Sequence, residues 1–218
     1  MRELKVYKKT VSIVNETAIG MYENVVGKKT GFLLESYDKN YDRYTFFGAQ
    51  PEEIITSEKN SLVITKDDGT KEIRKGNPLE LLKEYYSDFN IIKDNEELSF
   101  SGGLVGNLGY DFVRYAEKLP DNNPDEIGIE TIQLMLMTKF LLVDHVAETL
   151  TAIILEKNDT EGEKRAYELA DELIQKARRT PKEVERKPLI HDGKIVKQSD
   201  NLSHIPYSLF PQSLFLRF

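Results

Sequence analysis

The chain has 218 residues, 39% hydrophobic and 31% charged. That is the balance of an ordinary globular protein, long enough for one large domain or two small ones. Its formal net charge of −7 argues against a nucleic-acid-binding face, which needs Lys and Arg clustered against phosphate. It contains no cysteine, which excludes disulfides, thiol catalysis and Cys-ligated zinc and fits a reducing, cytoplasmic setting. Met1 leads into Arg2, Glu3, Leu4 and Lys5 without the apolar core of a signal peptide. The longest apolar stretch, residues 134–143, is broken by Lys139 and is far short of a membrane span. A soluble protein is expected.

In chain order, Leu4 and Val6 suggest a short first strand. Residues 17–26 read as a helix closed by Gly27, which tolerates a left-handed cap. Residues 30–36 (TGFLLES) and 43–49 (RYTFFGA) are apolar or aromatic runs of strand length. Residues 53–56 and 61–65 read as two more strands. Asp67, Asp68, Gly69 and Thr70 then make a hairpin turn. Asn77 followed by Pro78 is a helix start, with Leu79, Leu82, Tyr86 and Phe89 on one face. Residues 131–143 predict one long strand, apolar on both faces, and residues 149–155 its antiparallel partner after a turn. A hairpin of that kind belongs at the centre of a fold, covered on both sides.

The clearest helix covers residues 161–179, with Thr160 and Glu163 as a capping box. Its stripe is Ala166, Leu169, Ala170, Leu173, Ile174 and Ala177. These elements predict an α+β fold of largely antiparallel strands. Residues 1–180 form the expected domain and residues 181–199 a linker. Residues 200–218 differ in composition, crowded with Ser, Leu, Phe and Pro and without Lys or Glu. They read as an atypical tail, out of frame with what precedes them.

Chemistry is hard to find in this sequence. There is no GxxxxGK[ST] phosphate loop, no HExxH and no GxSxG. The spacing of Gly103, Gly106 and Gly109 is not a dinucleotide fingerprint. His145, His191 and His204 lack metal-ligand spacing, and His145 reads as a turn residue. The informative segment is residues 101–120, SGGLVGNLGYDFVRYAEKLP. Glycines in a strand permit bulges and close backbone approach. Tyr110, Asp111 and Arg114 follow where the chain leaves that strand, with Asp111 placed to cap a short helix.

That segment resembles the GGxVGYxGYDxVRxxExLP signature of the chorismate-utilising enzymes. Gly102, Gly103, Gly106, Gly109, Tyr110, Asp111 and Arg114 match it, and Asn107 stands where the family carries Tyr. A structural role is the expectation for these residues. A second stretch, Leu33, Leu34, Glu35 and Ser36 followed by Arg43, Tyr44, Thr45, Phe46, Phe47, Gly48 and Pro51, resembles the LLES and RYSFIG pattern of anthranilate synthase component I. A third, FLLVDHV at residues 140–146, is similar to a hairpin of the same family.

The resemblance implies a two-sheet sandwich with helices packed outside. It implies an enzyme of tryptophan biosynthesis that makes anthranilate and pyruvate from chorismate, with ammonia from a glutamine amidotransferase partner and feedback inhibition by tryptophan. In the family the LLES strand lines the tryptophan site. Glu35 and Ser36 are then the polar part of that site, Leu34 and Tyr37 their neighbours, and Arg43 and Thr45 its flank. A plain buried strand ending at a polar turn is the other reading of the same residues.

The family's Mg²⁺-ligating glutamates and catalytic histidine lie in its carboxy-terminal part. This chain is therefore expected to be an amino-terminal, truncated form, without a catalytic or metal residue of its own and inactive alone. Either homo-oligomer contacts are expected to cover part of the faces so left open, or the isolated chain is expected to be aggregation-prone. Aminodeoxychorismate synthase component I of folate synthesis, a non-catalytic tryptophan-binding module and a degraded gene product are the competing readings.

Overall fold

The computed structural model describes residues 1–35, 43–93, 100–120, 128–179 and 216–217. The first strand, β1 (Arg2–Ser12), is longer than its sequence suggests. It is followed by α1 (Ala18–Val25), β2 (Gly31–Glu35), β3 (Tyr44–Ala49), β4 (Glu53–Ser57), β5 (Ser61–Lys66) and β6 (Lys71–Lys75). Next come α2 (Pro78–Ser87), β7 (Phe89–Ile92), β8 (Gly103–Leu108) and a 3₁₀ turn over Tyr110–Tyr115. Strands β9 (Ile132–Met137), β10 (Lys139–Asp144) and β11 (Thr149–Glu156) precede α3 (Thr160–Ala177), and β12 (Leu216–Arg217) is a two-residue strand.

The strands form two six-stranded sheets, in the orders β2-β3-β10-β11-β1-β7 and β12-β8-β9-β4-β5-β6. Every pairing is antiparallel except that of β1 with β7. The fold is α+β, and the expected sandwich with outer helices is what the packing shows. Alternation along the strands divides the apolar residues between three layers. On β10 and β11, Leu141, Val143, Leu150, Ala152 and Ile154 turn toward α1 and α3. Phe140, Leu142, Ile153 and Leu155 of the same strands turn inward, against Val105 of β8 and Met137 of β9. On the far side, Leu104, Leu134, Leu136, Ile55 and Ile64 pack under Leu82 and Tyr85 of α2.

The single strand expected over residues 131–143 is two. The chain leaves the second sheet after Met137 and enters the first at Lys139. Thr138 is the corner, where its carbonyl accepts from the Leu155 N–H at 2.7 Å. A run apolar on both faces suits this path, because each half is covered on both sides. The hairpin of β10 and β11 forms as its sequence predicts, central in the first sheet.

Local signals decide the helices, with small corrections. Thr17 caps α1 by accepting from the Gly20 N–H, and Gly27 beyond its end has φ +54°. Asn77 caps α2 with Pro78 in the first turn, but the buried stripe is Pro78, Leu82 and Tyr85. Leu79 is only half-buried. Helix α3 starts one residue earlier than expected. Asp159, rather than Thr160, is its cap and accepts from the Gly162 N–H at 2.7 Å. The predicted stripe holds: Ala166, Ala170, Ile174 and Ala177 are buried, with Leu169 and Leu173 packed at its margin. The expected linker lies outside the described residues, as does the expected tail apart from β12.

Candidate functional site

The pairing of β2 with β3 sets Glu35 opposite Thr45 and Leu34 opposite Phe46. Opposed residues share a face and neighbours along a strand do not. Glu35 and Thr45 therefore lie on the helix side of the first sheet. Leu34 lies on the inner side, packed with Tyr44 and Phe46. The residues expected to form one site thus divide between two faces. Strand β2 is an edge of its sheet, so the two groups meet only around the end of that strand. Ser36 and Tyr37 lie outside the described residues.

Thr45 is fully buried, and its hydroxyl is the centre of the polar group. Its Oγ1 lies 2.8 Å from His145 Nε2 and 3.5 Å from Glu35 Oε1. A hydroxyl has one proton to give. When Thr45 donates to Glu35, His145 must carry its proton on Nε2 and donate to Thr45. Glu35 and His145 are themselves exposed, so a carboxylate and an imidazole reach solvent on either side of a fixed hydroxyl.

His145 is the member that sequence reasoning assigned to a plain turn. It arrives because β10 pairs with β3 and the His145 N–H donates to the Arg43 carbonyl at 2.9 Å. Only strand pairing across about a hundred residues brings it to Thr45. The adjacent DH in FLLVDHV was the signal available.

Arg43 is near this group but is committed elsewhere. Its Nε and Nη2 grip the Asp144 carboxylate at 3.1 and 2.9 Å, and its guanidinium stands 5.0 Å from the Tyr44 ring centre. Asp144 also accepts from the Val146 and Ala147 N–H groups, both at 3.0 Å. Partial burial works against the Asp144 charge. Arg43 and these two amides outweigh it and hold the carboxyl below its usual range. Arg43 therefore fixes the turn beside the site and is not an open donor for a ligand.

The Gly-rich signature is a matter of backbone fit. A Cβ on Gly106 would stand 2.0 Å from the Gln133 carbonyl oxygen, and one on Gly102 (φ +111°) 2.6 Å from Leu155 Cδ1. Gly103 pairs with Met137 and also has positive φ, +121°. Gly109 is the residue before the 3₁₀ turn. Asp111 does not cap that turn. It pairs with Arg114 at 2.6 Å, and Arg114 Nη1 reaches the Pro120 carbonyl at 2.9 Å. Tyr110 is 93% exposed and follows β8, a strand of the second sheet.

No protein-family model matches the chain. Over 141 residues it is 30% identical to anthranilate synthase component 1 of Acetivibrio thermocellus, a match that takes in 64% of this chain and 28% of that protein. The chain is similar to anthranilate synthase component 1. A protein of that name from Bacillus caldotenax is 30% identical over 177 residues, covering 78% of this chain and 34% of its own length. Another, from Pseudomonas aeruginosa, is 29% identical over 170 residues, with 73% and 35% covered. Anthranilate synthase component I from Streptococcus pneumoniae TIGR4 aligns in structure with a TM-score of 0.45 and 23% identity, over 75% of this chain and 36% of that one. The chain spans about a third of the length of the curated relatives it matches. Among the described residues no helix is long and apolar enough to cross a membrane.

Proposed function

We propose that this chain is the amino-terminal regulatory and structural part of an anthranilate synthase component I, and that the end of β2 takes part in binding tryptophan. The observation that carries the reading is the similarity to proteins of that name over 64–78% of the chain. The polar group at the end of β2 gives it a chemical basis. An amino acid needs a carboxylate for its ammonium, a donor for its carboxylate and an apolar surface for its side chain. Glu35 supplies the first, His145 the second, and Leu34 with Tyr44 the third around the edge of the strand.

The complete enzyme of this kind would convert chorismate to anthranilate and pyruvate with ammonia from a glutamine amidotransferase. Among the described residues no three His, Asp or Glu side chains converge to hold a metal ion. In the family that this chain resembles, Mg²⁺ ligation and catalysis lie in the carboxy-terminal part, and the reading assigns both there.

The test uses the composition of the chain. It contains no tryptophan, so added L-tryptophan is the only indole in solution and its fluorescence anisotropy reports binding directly. Saturable binding that is absent for L-phenylalanine supports the reading. Anisotropy that stays at the free-ligand value up to millimolar protein rejects a tryptophan site in this chain. A parallel incubation with chorismate, Mg²⁺ and ammonium should yield no anthranilate fluorescence, and product at an enzymatic rate would overturn the assignment of catalysis elsewhere.

A further inference from the structure

The two ends of the second sheet are protected differently. At one end is β6, whose Lys71, Glu72, Arg74 and Lys75 are charged. Charge along an edge strand discourages other strands from pairing with it. Toward the other end is β8 (GLVGNL), which has neither a charge nor a proline. An uncharged strand of this kind, with one side of its backbone free, is a template for an added strand.

That side of β8 is taken by β12. Leu216 pairs with Leu104 and Arg217 with Gly103, antiparallel. Two paired residues are a short contact, but the sequence before them suits a longer one. Continued back from Leu216, the same register sets position 215 opposite Val105, 214 opposite Gly106, 213 opposite Asn107 and 212 opposite Leu108, the last residue of β8. The position before these is Pro211. Proline has no N–H to give to a ladder. The run QSLFLR therefore begins and ends with the six residues of β8.

The apolar pattern fits the same register. Positions 214 and 216 fall on the face of Leu104, which packs under α2. Position 215 falls on the face of Val105, which packs toward the first sheet. All three are Leu or Phe. The composition that sets residues 200–218 apart from the rest of the chain is, in this stretch, that of a strand partner.

We propose that residues 212–217 dock along the whole of β8 of the same chain as an antiparallel edge strand, and so close that end of the second sheet. This rests on the β8 and β12 pairing and is independent of the tryptophan reading.

The test uses the full chain. It has no cysteine, so a pair of introduced thiols reports their own proximity. Residues directly opposite in antiparallel strands have Cα atoms about 4.5–5.5 Å apart, within disulfide range. On mild oxidation N107C/S213C should close an intramolecular disulfide at least about tenfold faster than N107C/Q212C, whose tail thiol falls on the other face. Asn107 is exposed, so its replacement leaves the core intact. A second arm follows amide exchange in β8. L214P/F215P removes two successive N–H groups, one of which points to β8 in any strand. Exchange of the β8 amides turned away from β9 should then quicken at least about tenfold, while those of β9 stay protected. Equal closure rates in the two cysteine pairs overturn the proposal, as do disulfides formed only between molecules. Unchanged β8 exchange in the proline variant overturns it as well.

Discussion

Tyr85 donates to Glu53 Oε2 at 2.6 Å, and both side chains are buried. The other oxygen of Glu53 accepts from Arg2 Nη2 at 2.8 Å. One carboxyl group thus ties α2, and β4 of the second sheet, to the first residue of β1 in the first sheet. Arg2 also lies 4.9 Å from the centre of the Phe89 ring, which adds a cation–π contact. Replacing Tyr85 by Phe keeps the ring packing and deprives a buried carboxyl group of one donor. Y85F should therefore lose about 1–3 kcal/mol of stability, measured by urea denaturation. A loss within error would mean that water replaces the hydroxyl.

Gly106 is required by close approach of backbone. Its missing side chain leaves room for the Gln133 carbonyl, 2.0 Å from where a Cβ would stand. The obstacle is main chain in the paired strand β9, so no side-chain rotation relieves it. G106A should cost on the order of 3 kcal/mol or more and lower the melting temperature accordingly. G109A is the control, since a Cβ there meets nothing closer than 3.5 Å. Equal losses in the two variants would show that β8 shifts to accommodate the methyl group.

Glu16 couples the start of α1 to the end of α3. The Val14 N–H and then the Arg178 guanidinium hold its carboxyl down at about 2, against an ordinary 4.5. A depressed carboxyl contributes stability that is complete above its unfolded value and is lost as pH falls through the folded one. The contribution should thus be present above about pH 4.5 and disappear toward pH 2. E16Q should lower the melting temperature at pH 7 and flatten its decline through that acid window. Parallel acid profiles for the two proteins would contradict the assignment.

Thr45 holds the candidate site together through one hydroxyl. T45V keeps the shape of the side chain but leaves His145 and Glu35 without their shared partner. If the end of β2 binds tryptophan, the variant should bind it about fivefold or more weakly, the worth of roughly one hydrogen bond. Unaltered tryptophan affinity would confine Thr45 to a structural role.

Much of the fold could be read locally. The α3 stripe, the Asn77 and Pro78 start, the Gly69 turn and the hairpin of β10 and β11 each depend on residues a few positions apart, and each is found in the structure. The errors are local too. Asp159 takes the cap from Thr160 because its carboxylate reaches the Gly162 N–H. Asp111 pairs with Arg114 because the 3₁₀ turn sets the two side chains one turn apart. The break at Thr138 was not legible, since an apolar run reads alike whether it serves one sheet or two.

The candidate site was half legible. The strand containing Leu34 and Glu35, and the one containing Arg43 and Thr45, stand out in the sequence. Their division between two faces follows from alternation, but only once the register of β2 on β3 is known. The role of Arg43 as the partner of Asp144, and the presence of His145, depend on β10 lying beside β3. Sequence by itself determined which segments become helix and strand, because capping, turn chemistry and periodicity act over a few residues. Tertiary structure alone decided which polar groups meet, because the contacts of Thr45 with His145, of Glu53 with Arg2 and of Lys176 with the Val25 carbonyl are made between residues 51 to 151 positions apart, at separations where pairing and packing set the neighbours.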